Sequence, residues 1–206
     1  MGMPVPQQEP AAPRRWTAEE VRALQDDTRH TPRYELIDGE LLVSFDTDER
    51  GVTNAPIVEH QRAVRLLLRA LDDYLGRVGI GETLSSPADL ELEPGTIVQP
   101  DVFVVPLAGG RGPGAWSELS SILLVIEILS PSTARHDRVT KRRFFQRVGV
   151  PEYWIVDADS RVVERWRPGD ERPEVLDATL AWHPEGAAAP LVLDLAAFFA
   201  RVHREG

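Results

Sequence analysis

Apolar residues recur at helical spacing along the stretch from about Ile57 to Val78, where Val64, Leu67, Leu68, Leu71, Tyr74 and Leu75 share one face. That period predicts a long amphipathic helix, and Gly79 and Gly81 stop it. A second helix is predicted from about Arg135 to Val148, ending at Gly149, with Asp137, Lys141, Phe145 and Val148 along one stripe and Val139 off it. Thr17-Ala-Glu-Glu20 is a capping-box pattern that opens a short helix reaching about Gln25. Asp194 reads as the N-cap of a closing helix rich in alanine and phenylalanine. Two short apolar runs flank Asp38-Gly39 between Tyr34 and Val43, a hairpin-turn signal. Glu152–Asp157 and Arg161–Arg167 predict a second hairpin, and further strands are expected at 88–92, 98–105 and 122–129. The segments 46–56 and 109–114 read as loops. This order of elements implies an α/β sandwich with a mixed sheet and no dinucleotide-binding fingerprint.

Residues 1–15 are rich in proline and small or polar residues and are expected to form a disordered tail, followed by one domain over 16–206. A hydrophobic fraction of 42% is enough to fill its core. No apolar run is long enough to span a membrane and no secretory signal is legible, so a cytoplasmic protein is expected. The chain has no cysteine, which leaves carboxylates and histidines as metal ligands. A net charge of −10 sits awkwardly with binding to phosphates. The one basic cluster, Arg135, Arg138, Lys141, Arg142, Arg143 and Arg147 against Asp137, reads equally as a nucleic-acid patch or as a solvated helix face.

Glu127 lies inside Ile122-Leu-Leu-Val-Ile-Glu-Ile-Leu129, an otherwise apolar run that must be a buried strand. A carboxylate there is costly unless a cation or hydrogen-bond donors meet it, so it reads either as half of a structural ion pair or as a metal ligand. Asp101 opens the strand at 98–105. If that strand pairs antiparallel with 122–129, Asp101 and Glu127 converge at one rim of the sheet, as an oxygen-ligated Mg²⁺ requires. Lys141 is the single lysine beside 22 arginines. It marks a position that calls for a compact ammonium rather than a broad guanidinium fork, unless it survives by chance.

Tyr34-Glu-Leu-Ile-Asp-Gly-Glu40, Glu59-His60-Gln61, Val98-Gln-Pro-Asp101, Val125-Ile-Glu-Ile-Leu-Ser-Pro-Ser-Thr133, Asp137 with Lys141, and Gly149-Val-Pro-Glu-Tyr-Trp-Ile-Val-Asp157 occur in that order. Together they resemble the Uma2 family of endonucleases, from about Tyr34 to Arg167. The resemblance implies a restriction-endonuclease-like (PD-(D/E)XK) core with a mostly antiparallel sheet flanked by helices. Asp101 would be its proline-aspartate acid and Glu127 the acid of its E-X-K motif. Leu129 stands where the superfamily pattern has lysine, and Lys141 on the following helix matches the displaced lysine of the Uma2-like arrangement.

Glu35 is either a third acid near the metal or a surface strand acid. His60 either contacts a phosphate, a water or a carboxylate at the site rim, or is a structural hydrogen-bonder. Asp137 pairs with Lys141 or caps its helix. The activity expected is hydrolysis of DNA phosphodiesters with Mg²⁺ or Mn²⁺ held by Asp101, Glu127 and the carbonyl of Ile128. Lys141 would position the attacking water or neutralise the transition state. Loops such as 46–56 and 106–118 would select the substrate, and no nucleotide cofactor is implied. The alternatives are a nuclease-fold binding module without catalysis and a hydrolase of smaller phosphate esters. A homodimer would suit cleavage of both strands of a duplex.

Overall fold

The computed structural model describes residues 14–27, 32–44, 56–119 and 121–205; the expected tail over 1–13 and loop over 46–55 lie outside them. In chain order the elements are α1 (Ala18–Asp27), the strands β1 (Arg33–Ile37) and β2 (Glu40–Ser44), the long helix α2 (Pro56–Val78), β3 (Gly81–Ser85), β4 (Val102–Pro106) and β5 (Leu124–Ile128). A broken helix follows: a single turn α3 (Ala134–His136), a π-helical segment over Asp137–Lys141, and α4 (Arg142–Arg147). The chain closes with β6 (Tyr153–Asp157), β7 (Val162–Trp166), β8 (Glu174–Leu176), β9 (Thr179–Trp182), β10 (Leu191–Asp194) and α5 (Leu195–His203).

Six strands form one sheet in the order β3-β4-β5-β6-β7-β8. Only β5 and β6 run parallel, bridged by the broken helix; the other neighbours are antiparallel. The expected mixed, mostly antiparallel sheet flanked by helices is therefore present. Alternation along the central strands decides what each face meets. Val102, Val104, Leu124, Ile126, Ile128, Trp154 and Val156 pack against α2 and α5. Phe103, Val105, Val125, Tyr153 and Ile155 pack against Phe144 and Phe145 of α4 and against Ile37 and Leu42 of the first hairpin. With both faces covered, β5 reads as an apolar run broken only by Glu127.

Most local signals are borne out. Glu20 N–H donates to Thr17 Oγ1 at 3.3 Å and Thr17 N–H to Glu20 Oε2 at 2.9 Å, closing the capping box. Asp38 (φ 52) and Gly39 (φ 75) form the two-residue turn between β1 and β2. Gly79 (φ 68) ends α2, and Asp194 Oδ1 accepts from Ala197 N at 2.9 Å at the start of α5.

Other expectations need correcting. Arg14 and Arg15 fall in the expected tail yet make contacts, Arg14 to Glu20 at 2.8 Å and Arg15 to the Asp38 carbonyl at 2.8 Å. The stretch 88–92 contributes only one bridge, Leu90 to Val98. β3 had read as a mere helix stop: Gly81 is needed there because a Cβ would lie 2.9 Å from the Val105 carbonyl. The short strands β8, β9 and β10 carry too little alternation to be seen.

Candidate functional site

The antiparallel register of β4 and β5 pairs Val102 with Ile126. One step further on each strand brings Asp101 opposite Glu127, the convergence expected from the sequence. Ile128 N–H donates to Asp101 Oδ2 at 2.9 Å and Asp101 N–H to Glu127 Oε2 at 3.4 Å. Each acid is thus tied to the backbone of the other's strand. Glu127 has the same parity as Val125 and so faces the broken helix rather than α2.

The π-helical segment supplies the cation. Asp137 and Lys141, four residues apart on one face, both turn inward there and are buried; π segments of this kind recur at functional sites. Lys141 Nζ lies 2.6 Å from Glu127 Oε1, 3.0 Å from Glu35 Oε2 and 3.5 Å from Asp137 Oδ1. Three carboxylates around one nitrogen suit the three donors of an ammonium and leave no room for a planar fork. That geometry is a physical reason for the only lysine in the chain to stand here. Because all its carboxylate partners are protein groups, Lys141 orients Glu127 and Glu35 rather than facing open solvent.

Glu35 is not a surface acid. It is buried, and its Oε1 accepts from Gln99 N at 2.7 Å while Oε2 meets Lys141. It therefore ties the hairpin both to the loop before Asp101 and to the central lysine. His60, near the start of α2, places Nε2 3.0 Å from Asp101 Oδ2. Arg33 Nη1 lies 3.0 Å from Asp101 Oδ1 and 3.2 Å from the Gln99 carbonyl. Sequence reading missed Arg33, although β-strand periodicity puts it on the same face as Glu35, two residues on.

Exposure separates these groups into two layers. The side chains of Glu35, Asp101, Glu127, Asp137 and Lys141 are at most 6% exposed, whereas those of His60 and Arg33 are 21% and 27% exposed. Beside His60 and Ile128 opens a cleft of about 160 Å³, bounded further by Ser130, Pro131, Arg138 and Asp157.

The electrostatics follow from this arrangement. Burial alone would raise the Asp101 carboxyl, but the His60 hydrogen bond and charge, Arg33 and the Ile128 N–H hold it well below the usual range. Burial raises Glu127; Lys141 opposes that rise, and the neighbouring Asp101, Asp137 and Glu35 add to it. Burial also raises Asp137, again against Lys141. Lys141 itself stays cationic, its desolvation outweighed by Glu127, Glu35 and Asp137.

The Uma2 family model, described as "Putative restriction endonuclease", matches residues 18–196. The chain belongs to the Uma2 family. A crystal structure of a "putative nuclease belonging to DUF820" from Anabaena variabilis is similar at a TM-score of 0.61 and 18% identity, covering 88% of this chain and 98% of that one. That likeness bears on the fold. No curated protein matches, and no helix among the described residues is long and apolar enough to cross a membrane.

Two features of this Uma2 chain depart from the sequence reading. The basic cluster over Arg135–Arg147 is largely consumed by protein partners. Lys141 is buried among acids, Arg138 meets Asp157 at 3.0 Å and Glu164 at 2.7 Å, and Arg147 meets Asp38 and Glu93, each at 2.9 Å. Arg142 lies over the Trp166 ring at 4.8 Å. The loop 106–118 leaves β4 at the end opposite Asp101, about five residues or roughly 17 Å of strand away, so it does not border the acid pair.

The donor set can be weighed against a divalent ion. Among the described residues no three aspartate, glutamate or histidine side chains converge as a ready-made metal cage. Asp101 and Glu127 do sit opposite each other in register, however, and Mg²⁺ is commonly held by one or two carboxylates, with waters and substrate phosphates completing its shell. Four buried carboxylates stand against two permanent cations, Arg33 and Lys141. The acids outnumber the cationic groups even with His60 counted beside Asp101, so the residues fit such an ion as a two-carboxylate site.

Proposed function

We propose that this Uma2 protein is a divalent-metal-dependent endonuclease that hydrolyses phosphodiester bonds in DNA. The observation that carries the reading is the Asp101–Glu127 pair, two buried acids set opposite each other at a strand rim, with His60 joining Asp101 to the lining of a neighbouring cleft. Asp101 and Glu127, with the carbonyl of Ile128, would hold Mg²⁺ or Mn²⁺, which lowers the pKa of a bound water and offsets charge on the phosphate. Lys141 keeps Glu127 oriented and balances the charge of the acid cluster. Glu35 fixes Lys141 and the Gln99–Asp101 turn in register. His60 stands at the solvent side of Asp101, placed to meet the substrate or its water.

A non-catalytic binding module is the second reading. It is favoured by the net charge of −10 and by the engagement of Asp101 with Arg33 and His60.

Nicking of supercoiled plasmid in Mn²⁺ at low salt tests the proposal, with wild type compared against Glu127→Ala and Lys141→Arg. Cleavage by wild type that both variants lose supports a metal nuclease in which Lys141 is required as lysine. If wild type leaves the plasmid intact and calorimetry detects no Mn²⁺ binding, the nuclease reading fails. DNA retention without cleavage points to the binding module.

A further inference from the structure

We propose that Arg33 receives a substrate phosphate on its Nη2 and Nε donors while Nη1 stays anchored at Asp101; this rests on the nuclease reading and assigns the group that meets the DNA backbone. Five of the seven charged or titratable side chains of the site are closed to solvent, so an approaching phosphodiester meets Arg33 and His60 first. Both bonds made by the Arg33 side chain come from Nη1, to Asp101 Oδ1 and to the Gln99 carbonyl. Its Nη2 and Nε donors have no protein partner among the described residues. A guanidinium with one edge anchored and further donors turned to no protein acceptor is suited to paired recognition of phosphate oxygens.

Four of the six basic side chains over 135–147 are already engaged by protein groups, the other two, Arg135 and Arg143, being exposed. Lys141 is enclosed by acids, while Arg138 and Arg147 are each held by two carboxylates and Arg142 is stacked on Trp166. Arg33 shares a single carboxylate, and that carboxylate is the acid proposed for the metal. Because Glu35 is pinned to Gln99 N and Lys141, β1 carries Arg33 to the same place in each molecule. Arg33 and a divalent ion compete to neutralise Asp101. Removing the arginine should therefore leave Asp101 more available to metal while weakening contact with DNA.

The test reads those two affinities separately. Binding of a short labelled DNA duplex is followed by fluorescence anisotropy in EDTA over a salt series, and binding of MnCl₂ alone by calorimetry. For Arg33→Gln the expected result is a loss of DNA affinity on the order of tenfold. The slope of log K against log salt should become shallower by about 0.9, while Mn²⁺ binds more tightly. Arg33→Lys should keep the salt slope but lose severalfold in affinity, because a single ammonium replaces the fork; it also preserves the test if the glutamine variant does not fold. Unchanged DNA affinity and slope in Arg33→Gln would overturn the proposal and leave the nuclease reading standing. A parallel loss of DNA and Mn²⁺ affinity would make Arg33 a structural support and overturn it as well. A wild-type protein that binds no DNA in EDTA even at low salt would overturn this assignment, while the nuclease reading would stand or fall on nicking in Mn²⁺.

Discussion

Replacing Lys141 with methionine keeps the length of the side chain and removes the one cation that Glu127, Glu35 and Asp137 share within 3.5 Å. Lys141 opposes the rise that burial imposes on Glu127 and Asp137, so where it keeps one carboxyl ionised, its removal forces that group to take up a proton. For a carboxyl of ordinary glutamate pKa, about 4.3, that protonation costs about 3.7 kcal/mol at pH 7, from about 1.36 kcal/mol per pH unit. The figure agrees with the roughly 3–5 kcal/mol lost when one partner of a buried pair is removed. At pH 5 the same protonation costs only about 1 kcal/mol, so the deficit relative to wild type should shrink by about 2.7 kcal/mol. The sign follows from proton linkage. Above the ordinary carboxyl pKa, the variant's folded state binds a proton that its unfolded state has released, so the variant loses stability relative to wild type as pH rises. Urea unfolding with linear extrapolation at pH 5 and pH 7 measures the deficit directly. A deficit equal at the two pH values, or below about 1 kcal/mol at pH 7, would refute the view that Lys141 is the shared counter-ion of these acids.

Two further outcomes are expected. Asp101→Asn should narrow its stability gap to wild type as pH falls from 5 toward 2. The Asp101 carboxyl is held below its ordinary value by His60, Arg33 and the Ile128 N–H against the cost of burial, so its contribution is present above the unfolded value and is lost as pH falls through the folded one. Urea midpoints across that range would show a constant gap if the reasoning is wrong. Asp194→Ala should cost about 1 kcal/mol by removing the cap on Ala197 N, and an unchanged thermal midpoint would count against that cap.

Much of the fold was legible because local chemistry dictates it. The capping box at Thr17–Glu20, the Asp38-Gly39 turn, the amphipathic period of α2 and the Asp194 cap each act within a few residues, and each appears where the pattern places it. The edge strands β3, β8, β9 and β10 were not legible. They are only three to five residues long and owe their conformation to neighbours distant in sequence. The helix over the site was legible as a helix but not as a broken one, since nothing in Asp137–Lys141 announces a π turn.

The candidate site divides in the same way. An acid inside an apolar strand, an acid at the start of another, and a lone lysine are anomalies visible in one dimension, because burying a charge is costly wherever it occurs. Glu35, Arg33 and the fate of the basic cluster were settled only by long-range packing. Whether a charged side chain faces water or a carboxylate depends on which strand or helix lies opposite it. Lys141 and Glu127 are 14 residues apart and Arg33 and Asp101 are 68 apart. The sequence by itself determined which residues were too costly to bury alone; the tertiary structure decided which of them met, because electrostatic partnership is set by distances of a few ångströms that local pattern does not encode.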